Sequence, residues 1–392
     1  MRILGSALAL LLAGCASIAP QSVEAPLIGK PLTAGNQAQL KSAGAEILFW
    51  NQAQRFERFR AMETLFPGHK VTAGGTVRAL PAGAPLGISD ADVETYMQAN
   101  NVSGLIVLQD GKVRLEKYAF GYGPEGRWTS FSVAKSFTST LVGAAVRDGY
   151  IKSLDDPVTR YIPELAGSGY DGVSVEQLLT MTSGVRWNED YTDANSDVAK
   201  MYAGPVPEGM DPTVAYMRTL PRATPPGEKW VYKTGETNLI GVLVTRVTGK
   251  SLATYLTEKV WQPYGMEQDA FWMIDGTMQD LGGCCMSAAL RDYARMGQFA
   301  LEGGRGVVPD GWFANATAAK ADTGRPGFGY GYQWWTYPKG RFGAQGIFGQ
   351  GVTVDPAKRI VIAQSAAWPK ATGAELGAAR LAFFDKLIAT AE

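Results

Sequence analysis

Ser132 and Lys135 stand three residues apart in the stretch "TSFSVAKSFTST". On a helix, positions i and i+3 share a face, so the hydroxyl and the amine can meet. A lysine in a desolvated pocket can lose its proton and then activate a serine hydroxyl. Ser132 also falls where a helix begins, and N–H groups at a helix N-terminus favour a developing oxyanion. A plainer reading makes Ser132 an N-cap and Lys135 a solvated side chain. Two features of the chain favour chemistry. No other serine is followed three residues later by lysine, and His69 is the single histidine. A Ser-His-Asp triad would need His69, which sits in the loop-like "FPGHKV", and no G-x-S-x-G elbow is present.

The elements around this pair follow from periodicity. "SGLIVLQDGKVRLEKYAFG" places two apolar runs around Asp110-Gly111, a hairpin signal. In "SVAKSFTSTLVGAAVRDG", Val133, Ala134, Phe137, Leu141, Ala145 and Val146 recur at helical spacing, and Gly149 stops the run. "TNLIGVLVTRVTG" reads as a helix ending at Gly249. Towards the C-terminus, "YGYQWWTY", "GRFGAQGIFG", "GVTVDPAKR" and "RIVIAQSAAW" are strand-like runs joined by turns, and an amphipathic helix spans about 373–390. Strands gather at both ends and helices in the middle. The expected fold is α+β: an antiparallel sheet flanked by terminal helices, with a mainly helical subdomain at about 130–285 inserted.

"SFSVAKSFTSTLVGAAVRDGYIKSLDDPVTRYIPEL" followed by "SVEQLLTMTSGV" resembles the serine hydrolases of the β-lactamase and penicillin-binding superfamily, near class C β-lactamases and family VIII esterases. "GVRWNEDYTD" and "FWNQAQRFERFRAMETLFPG" resemble one subgroup more closely, the 6-aminohexanoate-dimer hydrolases. The resemblance implies a β-lactamase-like fold, an acyl-enzyme on Ser132 and small ester or amide substrates. It implies that Tyr232, in "PPGEKWVYKTGETNLIG", pairs with Ser132 and Lys135 and shuttles a proton, with Thr234 where the family has Asn or Ser. It aligns Ala344-Gln345-Gly346 with the K-T-G strand of β-lactamases. Ile347 would then lend its N–H to an oxyanion hole shared with Ser132, and Gly346 would allow close backbone approach. Ala344 replaces a cation that holds a substrate carboxylate in β-lactamases, which favours esters or amides over the alternative of a β-lactamase or D-Ala-D-Ala carboxypeptidase; a non-catalytic lipoprotein that binds peptides or drugs is a third reading, against which Ser132, Lys135 and Tyr232 stand. Tyr191 would close over bound substrate. Glu189, Asp190 and Asp193 read either as an attraction for an amine or, more simply, as a solvated acidic loop. Trp334 and Trp335 read as core or pocket wall.

The chain has 392 residues, 46% of them hydrophobic, with 37 basic and 37 acidic side chains. Neither a nucleic-acid partner nor an acidic solvating tail fits that balance, and no cofactor or metal is called for. "MRILGSALALLLAGC" reads as a signal peptide over 1–14. Leu12-Ala13-Gly14-Cys15 resembles a bacterial lipobox, which would acylate Cys15 and hold the protein on the outer membrane, facing the periplasm. Membrane contact would come only through that lipid. Residues 15–45 read as a tether and 46–392 as the hydrolase domain. Cys284 and Cys285 are adjacent, and sequence neighbours rarely reach relaxed disulfide geometry, so they read as two buried thiols, with a redox or metal role as the alternative.

Overall fold

The computed structural model describes residues 24–33, 40–43 and 46–391. Two antiparallel sheets carry the fold. The smaller is built from β1 (Leu27–Gly29), β2 (Pro67–Val71), β5 (Trp128–Thr129), β6 (Ala270–Met273) and β7 (Met286–Ala288), in the order β1-β2-β6-β7-β5. The larger holds β3 (Val102–Gln109), β4 (Lys112–Tyr118), β8 (Ala321–Asp322), β9 (Gly329–Tyr330), β10 (Trp335–Tyr337), β11 (Arg341–Gln345), β12 (Gly351–Asp355) and β13 (Ile360–Ala366). Its order is β4-β3-β13-β12-β11-β10-β9-β8, so chain ends far apart in sequence pair directly at β3 and β13. Both central strands are apolar on both faces because each face is covered. One cover is the pair of helices Asp90–Ala99 and Ala374–Ala389, whose Val93, Tyr96, Phe384 and Leu387 pack on Leu105, Val107 and Ile362. The other is the helix Leu290–Leu301, which belongs to the main core cluster with Ile106, Val361 and Ala363.

The hairpin, the helix at Ala134–Arg147 and the terminal helix lie where their periodicity places them. Thr234–Thr248 ends on Gly249 at φ 67°, a left-handed cap that favours glycine. The region 130–285 does hold a run of helices, yet β6 leaves it to join the smaller sheet.

Two expectations change. His69 is in β2, not a loop; it is buried and its Nδ1 lies 2.8 Å from Asp280 Oδ1. A histidine committed to a buried carboxylate in a strand serves structure. The stretch expected as a tether is also partly structured. Leu27–Gly29 forms the edge strand β1 against β2, and Leu40 and Ala43 are buried. "PLIG" supplies a short edge strand whose backbone groups pair with β2 and so cover that side of the sheet. Residues 1–23, including the leader and Cys15, lie outside the described residues.

Candidate active site

Ser132 sits in a 3₁₀ turn, Phe131–Val133, that runs into the helix Ala134–Arg147. That helix is buried on nearly all sides, which takes Lys135 out of water: it is 1% exposed. Its ammonium donates to Gly283 O at 2.6 Å, to Thr234 Oγ1 at 3.0 Å and to Ser132 Oγ at 3.2 Å. Burial pulls its pKa from the usual lysine range down to about 7, against the opposing charge of Glu189. A lysine with that pKa is partly neutral at neutral pH and can accept a proton.

Tyr232 lies just before the helix Thr234–Thr248, and its ring centroid is 5.3 Å from Lys135 Nζ. Burial and the negative charge of Glu189 hold its phenol well above the ordinary tyrosine range, opposed only in part by a hydrogen bond with Ser132. The phenol therefore keeps its proton at neutral pH. Its ring stacks on Trp335 with centroids 5.7 Å apart, and Trp230 and Tyr330 complete the aromatic support. Trp335 is thus a wall of the site, while Trp334 is core, 1% exposed.

Glu189 is the residue whose plainer reading the structure overturns. It is not solvated freely. Its carboxylate accepts from Thr234 N at 2.9 Å, from Tyr191 OH at 2.8 Å, and from Thr234 Oγ1 and Trp187 Nε1. Thr234 accepts from Lys135 through the same hydroxyl that donates to Glu189, so lysine, threonine and glutamate form a chain. A hydroxyl can do both at once, which is why Thr serves where Asn or Ser was expected. Asp190 and Asp193 cap their own loop instead, accepting from Thr192 N and Asn195 N, as the plainer reading has it. Only four-donor geometry separates Glu189 from its neighbours, and the sequence carries no such signal.

A second strand brings the opposite wall. After β11, the chain turns at Ile347–Gly349 beside Ser132. Gly346 is required there, since a Cβ would fall 2.4 Å from Ser130 O. Phe131 and Phe348, the neighbours of Ser132 and Ile347, both adopt positive φ, 41° and 59°. Such conformations cost on the order of 1–3 kcal/mol each and persist where packing over-determines them. Here the two rings lie 5.4 Å apart, and Phe59 packs on both, at 4.9 and 5.4 Å. One aromatic cluster thereby locks the two turns that face each other across Ser132. Gln345 points sideways, donating to Tyr337 OH at 2.8 Å and accepting from Arg380. Ala344 is buried in the main core cluster, 2% exposed.

Two cavities meet at Ser132, with Tyr191 and Ile347 lining both. The inner one is walled by Phe131, Met201, Tyr202, Ile274, Cys284 and Cys285 among others. The outer one opens past Tyr232, Trp335, Gln345 and Arg380. Sequence reasoning missed the inner chamber, because its lining comes from segments more than two hundred residues apart. Cys284 and Cys285 also depart from expectation: they are joined by a disulfide. Cys285 takes φ 68°, in the left-handed region that a non-glycine residue seldom occupies. Among the described residues, no cluster of His, Cys, Asp or Glu could hold a metal ion.

The comparisons with known proteins agree with this geometry. The Beta-lactamase family model matches residues 90–383. The chain is 33% identical over 298 residues to the 6-aminohexanoate-dimer hydrolase of Paenarthrobacter ureafaciens, covering 71% of this chain and 76% of that protein. It is 28% identical over 193 residues to a beta-lactamase of Pseudomonas fluorescens, covering 46% and 49%. Among solved structures, a Bacillus anthracis protein assigned as a 6-aminohexanoate-dimer hydrolase superposes with a TM-score of 0.75 at 20% identity, over 85% of this chain and 93% of that one. With the buried serine–lysine pair in place and the family matched over most of its length, the chain belongs to the β-lactamase family of serine hydrolases.

Proposed function

We propose that the protein cleaves small esters and linear amides through an acyl-enzyme on Ser132. The observation that carries this reading is the 3.2 Å contact between Ser132 and a lysine whose pKa burial has brought to about 7. Neutral Lys135 takes the Ser132 proton as the hydroxyl attacks the carbonyl carbon. The N–H groups of Ser132 and Ile347 receive the oxyanion, held in register by the Phe59–Phe131–Phe348 cluster. Tyr232, protonated in the resting enzyme, passes its proton to the leaving alkoxide or amine and is reprotonated from Lys135. Water then enters by the outer cleft and the same groups run the steps in reverse. The apolar inner chamber suits an alkyl acyl chain, and Tyr191 stands at the junction where it can cover the substrate. The test is a screen of the protein without residues 1–15 against p-nitrophenyl esters, linear amides and nitrocefin. Ester or amide turnover is the expected result, and no turnover of either class refutes it.

The pH profile of kcat/KM checks the lysine directly. The reactive form is neutral Lys135, so activity should rise with pH through about 7. Glu189 raises that pKa, so Glu189→Gln should move the acid limb to lower pH while lowering the plateau, since the amide leaves one acceptor oxygen where the carboxylate offered two to Thr234, Tyr191 and Trp187. A limb that stays in place would show that another group titrates.

For location, we infer a lipid-anchored envelope protein from the lipobox-like "LAGC". Among the described residues no helix is long and apolar enough to cross a membrane. Expressed with its leader, the protein should fractionate with membranes and incorporate labelled palmitate, and Cys15→Ser should abolish both. An unlabelled soluble product would leave only a secretory leader.

A further inference from the structure

The Cys284–Cys285 disulfide takes no part in the chemistry above, yet its place is next to it. Both residues line the inner cavity with Ser132. Cys284 directly follows Gly283, whose carbonyl is the nearest acceptor for Lys135, at 2.6 Å. Gly283 itself is wedged: a Cβ there would meet Thr234 Cγ2 and Asn238 Oδ1 at 2.9 Å. Its N–H is held by Asn238 Oδ1 at 2.8 Å. On the far side, Cys285 O accepts from Met273 N at 3.1 Å, which ties the second cysteine to β6. The linkage thus closes a small ring across one peptide unit, between an anchored glycine and an anchored strand. Within it Cys285 is kept at φ 68°, a conformation that a free cysteine rarely adopts.

We propose that this disulfide is a redox-sensitive positioning element of the hydrolytic site: closed, it fixes the Gly283 carbonyl against Lys135; opened, it lets that carbonyl move and reshapes the inner wall. The proposal rests on the assignment of Ser132 and Lys135 made above. The chemistry is ordinary thiol–disulfide exchange with a dithiol. A thiolate of the dithiol attacks Cys284 Sγ, the more exposed of the two, and the Cys285 thiolate leaves. The second thiol of the reagent then closes on its own mixed disulfide and releases Cys284. Two electrons and two protons pass to the protein, and the reagent ends as its cyclic disulfide. Cys285 is then free to leave the left-handed region, and the peptide that links it to Gly283 turns with it.

Two consequences separate this role from mere packing. A carbonyl that accepts from an ammonium stabilises the charged lysine, so its loss should lower the Lys135 pKa. The acid limb of kcat/KM should therefore move to lower pH on reduction. A looser lysine should also reduce kcat, by about tenfold or more, a decade being 1.4 kcal/mol. KM for long acyl chains should change as well, because the ring is part of the chamber wall.

The experiment compares the protein as isolated in air with the same protein after dithiothreitol, using a p-nitrophenyl ester. Mass spectrometry of the peptide containing 284–285 reports the bond, by a gain of two hydrogens and by alkylation after reduction only. The expected result is a bonded peptide, a slower enzyme after reduction, a shifted acid limb and recovery on reoxidation. Cys284→Ser and Cys285→Ser should each resemble the reduced enzyme and ignore dithiothreitol, with melting temperatures showing that they fold. Alkylation without reductant, or kcat and pH profile unchanged between the two states, overturns the proposal. Turnover that survives Ser132→Ala overturns instead the assignment on which it rests, so the two failures are distinguishable.

Discussion

Ser132→Ala should lower kcat/KM for a short p-nitrophenyl ester by roughly ten-thousand-fold or more and abolish labelling by a fluorophosphonate probe. The size follows from how such sites work. Nucleophile, base and proton carrier act as a unit, and removing one typically removes most of their joint effect, several decades of rate. Here the three groups share one network: Lys135 donates to Ser132, and Tyr232 hydrogen-bonds to the same hydroxyl. Lys135→Ala should therefore cost nearly as much as Ser132→Ala, and the double variant little more than either. Ser132 is 9% exposed and caps nothing, so the alanine variant should fold with an unchanged melting temperature. Steady-state kinetics on the three variants decide the matter. Retained turnover in Ser132→Ala would show that the hydroxyl is not the nucleophile, and additive losses would show that serine and lysine act separately.

How far this site was legible differs from residue to residue. The serine–lysine spacing is local: three residues on one helix turn place both groups together whatever the rest of the chain does. The same holds for the hairpin at Asp110-Gly111 and for the cap at Gly249, since turn chemistry acts over a few residues. Tyr232 came from a motif, and its raised pKa could not, because burial is a property of the assembled aromatic wall. Glu189 shows the limit most sharply. In sequence it is one of three acids in a polar loop. In space it is the acceptor for Thr234, Tyr191 and Trp187, and one turn of backbone separates it from two acids that face water. The smaller sheet was missed for a related reason. β5 has two residues and β1 and β7 three each, too short to show a period of two, and the pairs β2–β6 and β5–β7 join segments far apart in sequence. The cysteines were misjudged because the bond goes with a left-handed φ at Cys285, which no side-chain pattern announces.

Short neutral esters should be preferred over benzylpenicillin by at least about a hundredfold in kcat/KM. A cation meeting a substrate carboxylate in a partly desolvated cleft contributes on the order of 1.5–3 kcal/mol, or roughly 10- to 150-fold at 1.4 kcal/mol per decade. Ala344 supplies no cation on β11, and its side chain is packed in the core at 2% exposure. A neutral ester never needed that contact, so it loses nothing. The same burial changes what repair can do. Ala344→Lys would push an ammonium into the main core cluster, so it should lower the melting temperature rather than simply confer penicillin hydrolysis. Of the cations that line the outer cleft, Arg55, Arg325, Lys370 and Arg380, the one bonded to Gln345 of β11 is Arg380, on the terminal helix. Its guanidinium is engaged with Gln345 Oε1 and, at 3.3 Å, with Gln350 O, and it stacks over Trp368 at 5.1 Å. Reaching a substrate carboxylate would mean giving up those contacts, and that loss offsets the gain. Paired kinetics on a p-nitrophenyl ester and benzylpenicillin, in the native protein and in Arg380→Met, test the argument. Equal hydrolysis of the two substrates would sink it, and if that penicillin activity then vanished in Arg380→Met, the guanidinium rather than a β11 lysine would be the carboxylate's partner.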